Sequence, residues 1–240
     1  SLTIGSYFLE NGSGNRASQV IYDRCYSAMT SLTSGDIDLK QLFQNVDVFV
    51  VSGITVALNQ TIQDIVVEMV KYCRGNHILV VYDSNYRAKL WSIEAAGQAL
   101  KRILPYVDIL SAGYLDAQNL LGILSQADTF EQRLEDVYGQ MKALYPQLQY
   151  IVSTKRDILS TSVNELTGYL YHGTLHISKT YHIDDIVDRV GGGDSFTAGM
   201  IYSLITGKSC QDSVDFAAAA SCLKHTIEGD YNRTTVEEVK

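Results

Sequence analysis

A chain of 240 residues with 46% hydrophobic and 19% charged side chains has an ordinary globular composition, long enough to bury a sizeable core and neither disordered nor fibrous. A net charge of −8 with no basic block excludes bulk nucleic-acid binding and attraction to an anionic membrane surface. No apolar run is long enough to span a bilayer and no secretory signal opens the sequence, so the expectation is a cytoplasmic protein without a membrane partner.

In chain order, residues 1–24 read as strand–turn–strand, with Tyr7-Phe8-Leu9 and Gln19-Val20-Ile21-Tyr22 flanking a Gly/Ser/Asn turn over residues 11–15. Residues 46–52 read as a buried strand. Ile62, Ile65, Val66, Met69, Val70 and Cys73 then recur at helical spacing. A strand over 78–82, a helix near 92–104 stopped by Pro105, a short strand over 107–110 and a short helix ending at Gly122 follow. Thr129-x-x-Gln132 is a capping box opening the next helix, and residues 150–153 read as another strand. Between Leu166 and His182 the pattern changes to short β runs around Gly173, as in a hairpin near a sheet edge. Helices over about 194–206 and 211–226 finish the chain. The alternation argues for a mostly parallel sheet covered on both faces by helices, in a single domain over 1–240.

Some patterns carry no chemistry. Gly12-x-Gly14-x-x-Ala17 imitates a dinucleotide fingerprint, but a strand follows it instead of a helix. Gly207-Lys208-Ser209 resembles the end of a phosphate loop, yet follows a helix and lacks the first glycine, so Gly207 reads as a helix C-cap. His172 and His176 lie in a strand-like stretch and read as surface residues. The four cysteines (Cys25, Cys73, Cys210, Cys222) form no CxxC pair and read as reduced, buried, small apolar groups.

The informative stretch is Val187-Asp188-Arg189-Val190-Gly191-Gly192-Gly193-Asp194-Ser195-Phe196. Three glycines before a helix start allow backbone N–H groups to approach a ligand, and the first N–H groups of a helix lack internal partners and carry partial positive charge. Together they suit a phosphoryl group. Asp194 beside that cradle either takes a proton from an attacking hydroxyl or simply stabilises the helix start.

This segment resembles the C-terminal signature of the ribokinase family, the PfkB-type carbohydrate kinases. Within that family, Asp83-Ser84-Asn85-Tyr86-Arg87-x-x-Leu90-Trp91, Tyr7-Phe8-Leu9-Glu10, Val20-Ile21-Tyr22-Asp23-Arg24 and Lys224-His225-Thr226 with Gly229-Asp230 are similar to blocks of the 2-keto-3-deoxygluconate kinase branch. The resemblance implies a ribokinase-like α/β fold with residues about 1–24 forming part of a β lid. It implies Asp194 as catalytic base and Gly191, Gly192 and Gly193 as the anion hole. Tyr7, Tyr22, Arg24 and Arg87 are implied as substrate contacts, and Arg24 and Arg87 suit a carboxylate, which arginine grips through two parallel hydrogen bonds. Asn85 is implied near the phosphates, with a turn-capping role equally open. Asp83 would orient its loop. Thr154, Ala218 and Ser221 are implied as neighbours of ATP, with Thr154 at a strand end.

The implied reaction is transfer of the ATP γ-phosphoryl group, with Mg²⁺, to the terminal primary hydroxyl of 2-keto-3-deoxygluconate, giving the 6-phosphate. Its alternatives are a neutral sugar such as fructose or ribose, or a sugar-binding module without turnover. Two departures accompany the resemblance. Gly113 stands at the family's Asn position in its Asn-x-x-Glu type motif, leaving Asp116 as the acid that helps place the metal. The family pattern before the lid hairpin is missing, which implies an N-terminally incomplete fold whose 240 residues alone fold poorly or are inactive. The exposed hairpin edge suits pairing into a homodimer.

Overall fold

The computed structural model describes residues 3–10, 12, 16 and 18–240. Strands β1 (Ser6–Glu10) and β2 (Gln19–Asp23) form a two-stranded sheet. Strand alternation places Tyr7, Leu9, Val20 and Tyr22 on its half-buried face and leaves Phe8 and Ile21 exposed on the other, at 64% and 67%. Except for Gly12, the expected turn over 11–15 lies outside the described residues, as do Gly14 and Ala17 of the glycine-rich imitation. The chain falls into two compact units, residues 1–7 with 22–151, and residues 8–21 with 152–240.

In the first unit, a short helix α1 (Leu39–Leu42) precedes β3 (Val48–Ser52), which leads through α2 (Gly53–Val56) into α3 (Gln60–Gly75). Helix α3 starts where the Asn59 side chain accepts a hydrogen bond from Ile62 N at 2.9 Å. Its buried stripe includes Ile62, Ile65, Val66, Val70 and Cys73, close to the expected spacing. Strand β4 (Leu79–Asp83) is followed by α4 (Ile93–Ile103), capped by Ser92. Next come β5 (Ile109–Ser111), α5 (Tyr114–Asp116) and a wide helical turn over Ala117–Leu121 that Gly122 ends in the left-handed region, at φ 72°. Thr129 and Gln132 form the expected capping box at the start of α6 (Phe130–Leu144).

Strands β3, β4 and β5 lie side by side and parallel, with Val50 opposite Val81 and Val81 opposite Ile109. Asp108 ties the β4–β5 seam: one carboxylate oxygen accepts from Val80 N at 2.9 Å and the other from Arg74 at 2.7 Å. Among the described residues, strand β3 pairs with β4 alone. Near it lies an apolar cleft of about 410 Å³ whose lining includes Met29, Phe49, Val50, Ile62, Val66 and Met69.

Strand β6 (Tyr150–Ile158) starts in the first unit and runs into the second, where it pairs with β7 (Asn164–Tyr171). Strands β8 (Leu175–Ile177) and β9 (Tyr181–Ile183) both pair antiparallel with β7. Gly173 makes the β7–β8 turn at φ 85°, which is the hairpin expected there. Helices α7 (Gly192–Ile205) and α8 (Cys210–Lys224) pack closely. A Cβ on Gly199 would stand 3.0 Å from the Ala217 Cα, so a glycine is needed for that approach. Gly207 ends α7 at φ 75°, as a C-cap glycine should. A short α9 (Val236–Val239) closes the chain.

Two expectations need correction. Strand β6 continues to Ile158 instead of stopping at Ser153, because a tight turn, with Leu159 N and Ser160 N both bonded to Val163 O, folds β7 back along it. Thr154 therefore lies within a strand and not at its end. The cysteines are all free, but only Cys73 is buried, and burial pushes its thiol up to about 12. Cys25 is exposed, and Cys210 and Cys222 are half-buried. No helix among the described residues is long and apolar enough to cross a membrane.

Candidate active site

The glycine loop and the start of α7 lie in the second unit. Gly191 is the residue before the helix and takes φ 82°. A Cβ there would meet the Asp230 carbonyl oxygen at 2.3 Å, so both conformation and space require glycine. Gly192 N donates to Arg189 O at 3.3 Å, and Ser195 N closes the first helical bond to Gly191 O at 2.8 Å. Between them, the N–H groups of Gly193 and Asp194 belong to the first helical turn, which has no carbonyl of its own to offer them. Gly193 and Asp194 are exposed, whereas Ser195, Phe196 and Thr197 are buried. Helix α7 thus presents a bare amide end and one carboxylate to a ligand, and anchors itself by the residues that follow.

The loop is mounted from below. Asp188 is buried and accepts from Val190 N (3.0 Å) and Gly229 N (3.1 Å), one bond per carboxylate oxygen. Arg189 donates to the carbonyls of Ser160 (3.0 Å) and Thr161. Lys224 is fully buried, with Nζ donating to Ile227 O at 3.0 Å. Burial lowers its pKa, against the opposing pull of Asp188 and Asp230.

The first unit holds the candidate substrate contacts, with Asn85 and Asp116. The guanidinium of Arg24 lies 5.7 Å from the ring centroid of Tyr7 and 4.6 Å from that of Tyr22, so these three come together as a cation–π cluster. Both tyrosines are half-buried on the inner face of the hairpin. Asn85 stands just past the end of β4 at φ 34°, and its N–H donates to Asp83 Oδ1 at 3.2 Å, so Asp83 does orient that loop. Arg87, two residues on, is exposed. The loop is backed by Gly53, where a Cβ would stand 2.1 Å from Ser84 O.

Three expectations about nucleotide neighbours change here. Ala218 is 0% and Ser221 2% exposed, so neither offers surface to a nucleotide. Ala218 packs toward Gly168, and Ser221 Oγ donates to Gly192 O at 2.8 Å, which makes it part of the loop's mount. Thr154 is exposed but lies within β6. Asp116 caps the start of α5 by accepting from Gly113 N at 2.8 Å. Burial raises its pKa, and the bonds from Gly113 N and Ser84 pull it back. No group of three His, Cys, Asp or Glu placed to hold a metal occurs among the described residues. Gly53 and His225 are contributors that sequence reasoning did not assign. Gly53 carries no local signal, while His225 was visible only as part of a motif.

A glycine-cradled helix start that carries a carboxylate, on an α/β framework, defines a protein built to handle phosphoryl groups. Residues 3–236 match the model of the pfkB family carbohydrate kinases, and the chain belongs to that family. It is 28% identical over 236 residues to 2-dehydro-3-deoxygalactonokinase of Haloferax volcanii, covering 98% of this chain and 69% of that protein. It is 27% identical to 2-dehydro-3-deoxygluconokinase of Dickeya dadantii, covering 87% of this chain and 64% of that protein. The crystal structure of 2-dehydro-3-deoxygluconokinase from Thermotoga maritima superposes with a TM-score of 0.93 at 35% identity, covering 98% of this chain and 71% of that one. The fold is therefore ribokinase-like, and the chain spans about two thirds of these relatives' length.

The geometry separates the three glycines. Gly191→Ala should destabilise the chain by at least about 2 kcal/mol, from left-handed strain plus the clash with Asp230. Gly193→Ala, with nothing within 4 Å of its Cβ, should change stability by less than about 0.5 kcal/mol. Denaturant unfolding of both variants checks this, and equal losses would contradict the assignment.

Proposed function

We propose that the chain carries the site of an ATP-dependent sugar-acid kinase acting on 2-keto-3-deoxygluconate (2-dehydro-3-deoxygluconate) or its galactonate epimer. The observation that carries the reading is Asp194, exposed in the first turn of α7 beside amides that a glycine loop leaves open. The relatives' names supply the substrate class.

In this reading Asp194 takes the proton of the terminal primary hydroxyl as its oxygen bonds to the γ-phosphorus. The bond from that phosphorus to the β–γ bridging oxygen breaks, and ADP departs. The N–H groups of the loop and first turn offset charge on the transferring group. Mg²⁺ would enter as the ATP complex, with Asp116 as the acid that helps place it. Arg24 and Arg87 would hold the substrate carboxylate, with Tyr7 and Tyr22 fixing the first of them. Asn85 would lie near the phosphates.

ADP release coupled to a colour change is the direct assay. Asp194→Asn should lower kcat by about 10²–10⁴ with the fold intact. Arg24→Ala and Arg87→Ala should raise KM for the sugar acid by about 10- to 100-fold and leave a neutral sugar such as fructose or ribose nearly unaffected. Equal losses on acid and neutral sugars would remove the carboxylate reading. A sugar-binding module without turnover is the second reading, favoured by Gly113 at the family's Asn position. Ligand binding with no ADP released, in wild type and Asp194→Asn alike, would select it.

The exposed Phe8 and Ile21 on the outer face of the hairpin support a homodimer through that face. Sedimentation should give a dimer that Phe8→Lys converts to a monomer, and an unchanged sedimentation coefficient would reject the hairpin as the interface.

A further inference from the structure

We propose that His225 is the positioning residue of the glycine loop, holding it in register from beneath in its neutral form. The inference rests on the reading above, in which that loop receives a phosphoryl group. His225 is 2% exposed and meets the loop in three ways. Its ring lies directly against Gly192: a Cβ there would stand 2.8 Å from Cε1 and 3.3 Å from Nε2. Its Nδ1 is 2.7 Å from Ser221 O, and the hydroxyl of Ser221 donates to Gly192 O, so ring and loop share one tether. Its own carbonyl accepts from Val187 N at 2.9 Å and Asp188 N at 3.3 Å, where the chain enters the loop.

These contacts fix the ring's chemistry. A carbonyl oxygen only accepts, so Nδ1 must carry the proton, and in the neutral ring Nε2 is left as a bare lone pair. That Nε2 is buried without a hydrogen-bond partner. An aliphatic side chain could fill the space under Gly192 without leaving a polar atom unpaired, but it could not tie Ser221. The ring is also disfavoured as a cation. Burial lowers its pKa first. The bond to Ser221 O acts in the opposite sense, and Arg156, Lys224 and Arg189 lower it further. Asp188 and Asp230 act on Lys224, raising its pKa against burial.

With the folded pKa below the ordinary 6.5, the neutral ring's contribution is complete above that pH. It is lost as pH falls from 6.5 through the lowered value, where protonation puts an unpaired N–H against Gly192.

NMR spectra of the 240-residue chain without ligand test this, so they remain readable whether or not the chain turns over sugar. Side-chain nitrogen spectra should find Nδ1 protonated and Nε2 bare. The amide peaks of Gly192, Gly193 and Asp194 should move on acidification with the midpoint of the His225 ring. His225→Ala should shift those peaks by at least about threefold more than the peak of buried Leu170 in β7. His225→Asn, which keeps a donor in place of Nδ1–H, should restore them and abolish their titration. A proton on Nε2, loop peaks that titrate apart from His225, or an alanine variant whose loop peaks stay in place would each overturn the proposal.

Discussion

The structure turns on the unmatched N–H groups at the start of α7. A helix always leaves its first amides without internal acceptors, and most chains cap them with a Ser, Thr, Asp or Asn side chain. Here the preceding residue is Gly191, which has no side chain to offer, in a conformation that only glycine takes without strain. The first turn stays open, and its partial positive charge is available to an anion. An acidic chain can hold a phosphoryl group in this way because the field is local, and net charge governs only the distant approach.

Leaving a helix end bare has a structural cost, which the surrounding contacts offset. Asp188, Ser221, Lys224 and His225 meet the loop's amides, carbonyls or backbone surface, and Arg189 ties it to the Ser160 and Thr161 carbonyls. Several are polar groups buried within the second unit, where each needs its partners to be tolerated. The candidate substrate residues of the first unit are held differently. Arg24 is steadied by two aromatic faces, and Asn85 by a carboxylate two residues before it.

Much of the local structure was legible because its causes are local. The capping box at Thr129, the C-cap at Gly207, the α3 stripe and the turn at Gly173 each depend on a few neighbouring residues. The Gly191–Asp194 stretch was readable as a glycine loop opening a helix for the same reason, whereas the role of Asp194 came only with the family resemblance. What the sequence hid depends on distant partners. Ser221 and Ala218 stood near the expected nucleotide side by motif, yet helix packing turned them inward. Asp116 gave no sign of capping α5 through Gly113 N. Gly53 gave no sign of its contact with Ser84, because the crowding arises only when the segments following β3 and β4 come together. Cys25 is of a residue type that is usually buried, yet it follows the separate two-stranded sheet and is exposed.

The most direct test of the central claim is an amide titration of the chain with Mg²⁺·ATP by NMR. The account predicts that the peaks of Gly192, Gly193 and Asp194 shift together and saturably, and that Gly191→Ala abolishes the response. Saturable nucleotide binding that leaves those three amides unmoved would contradict it.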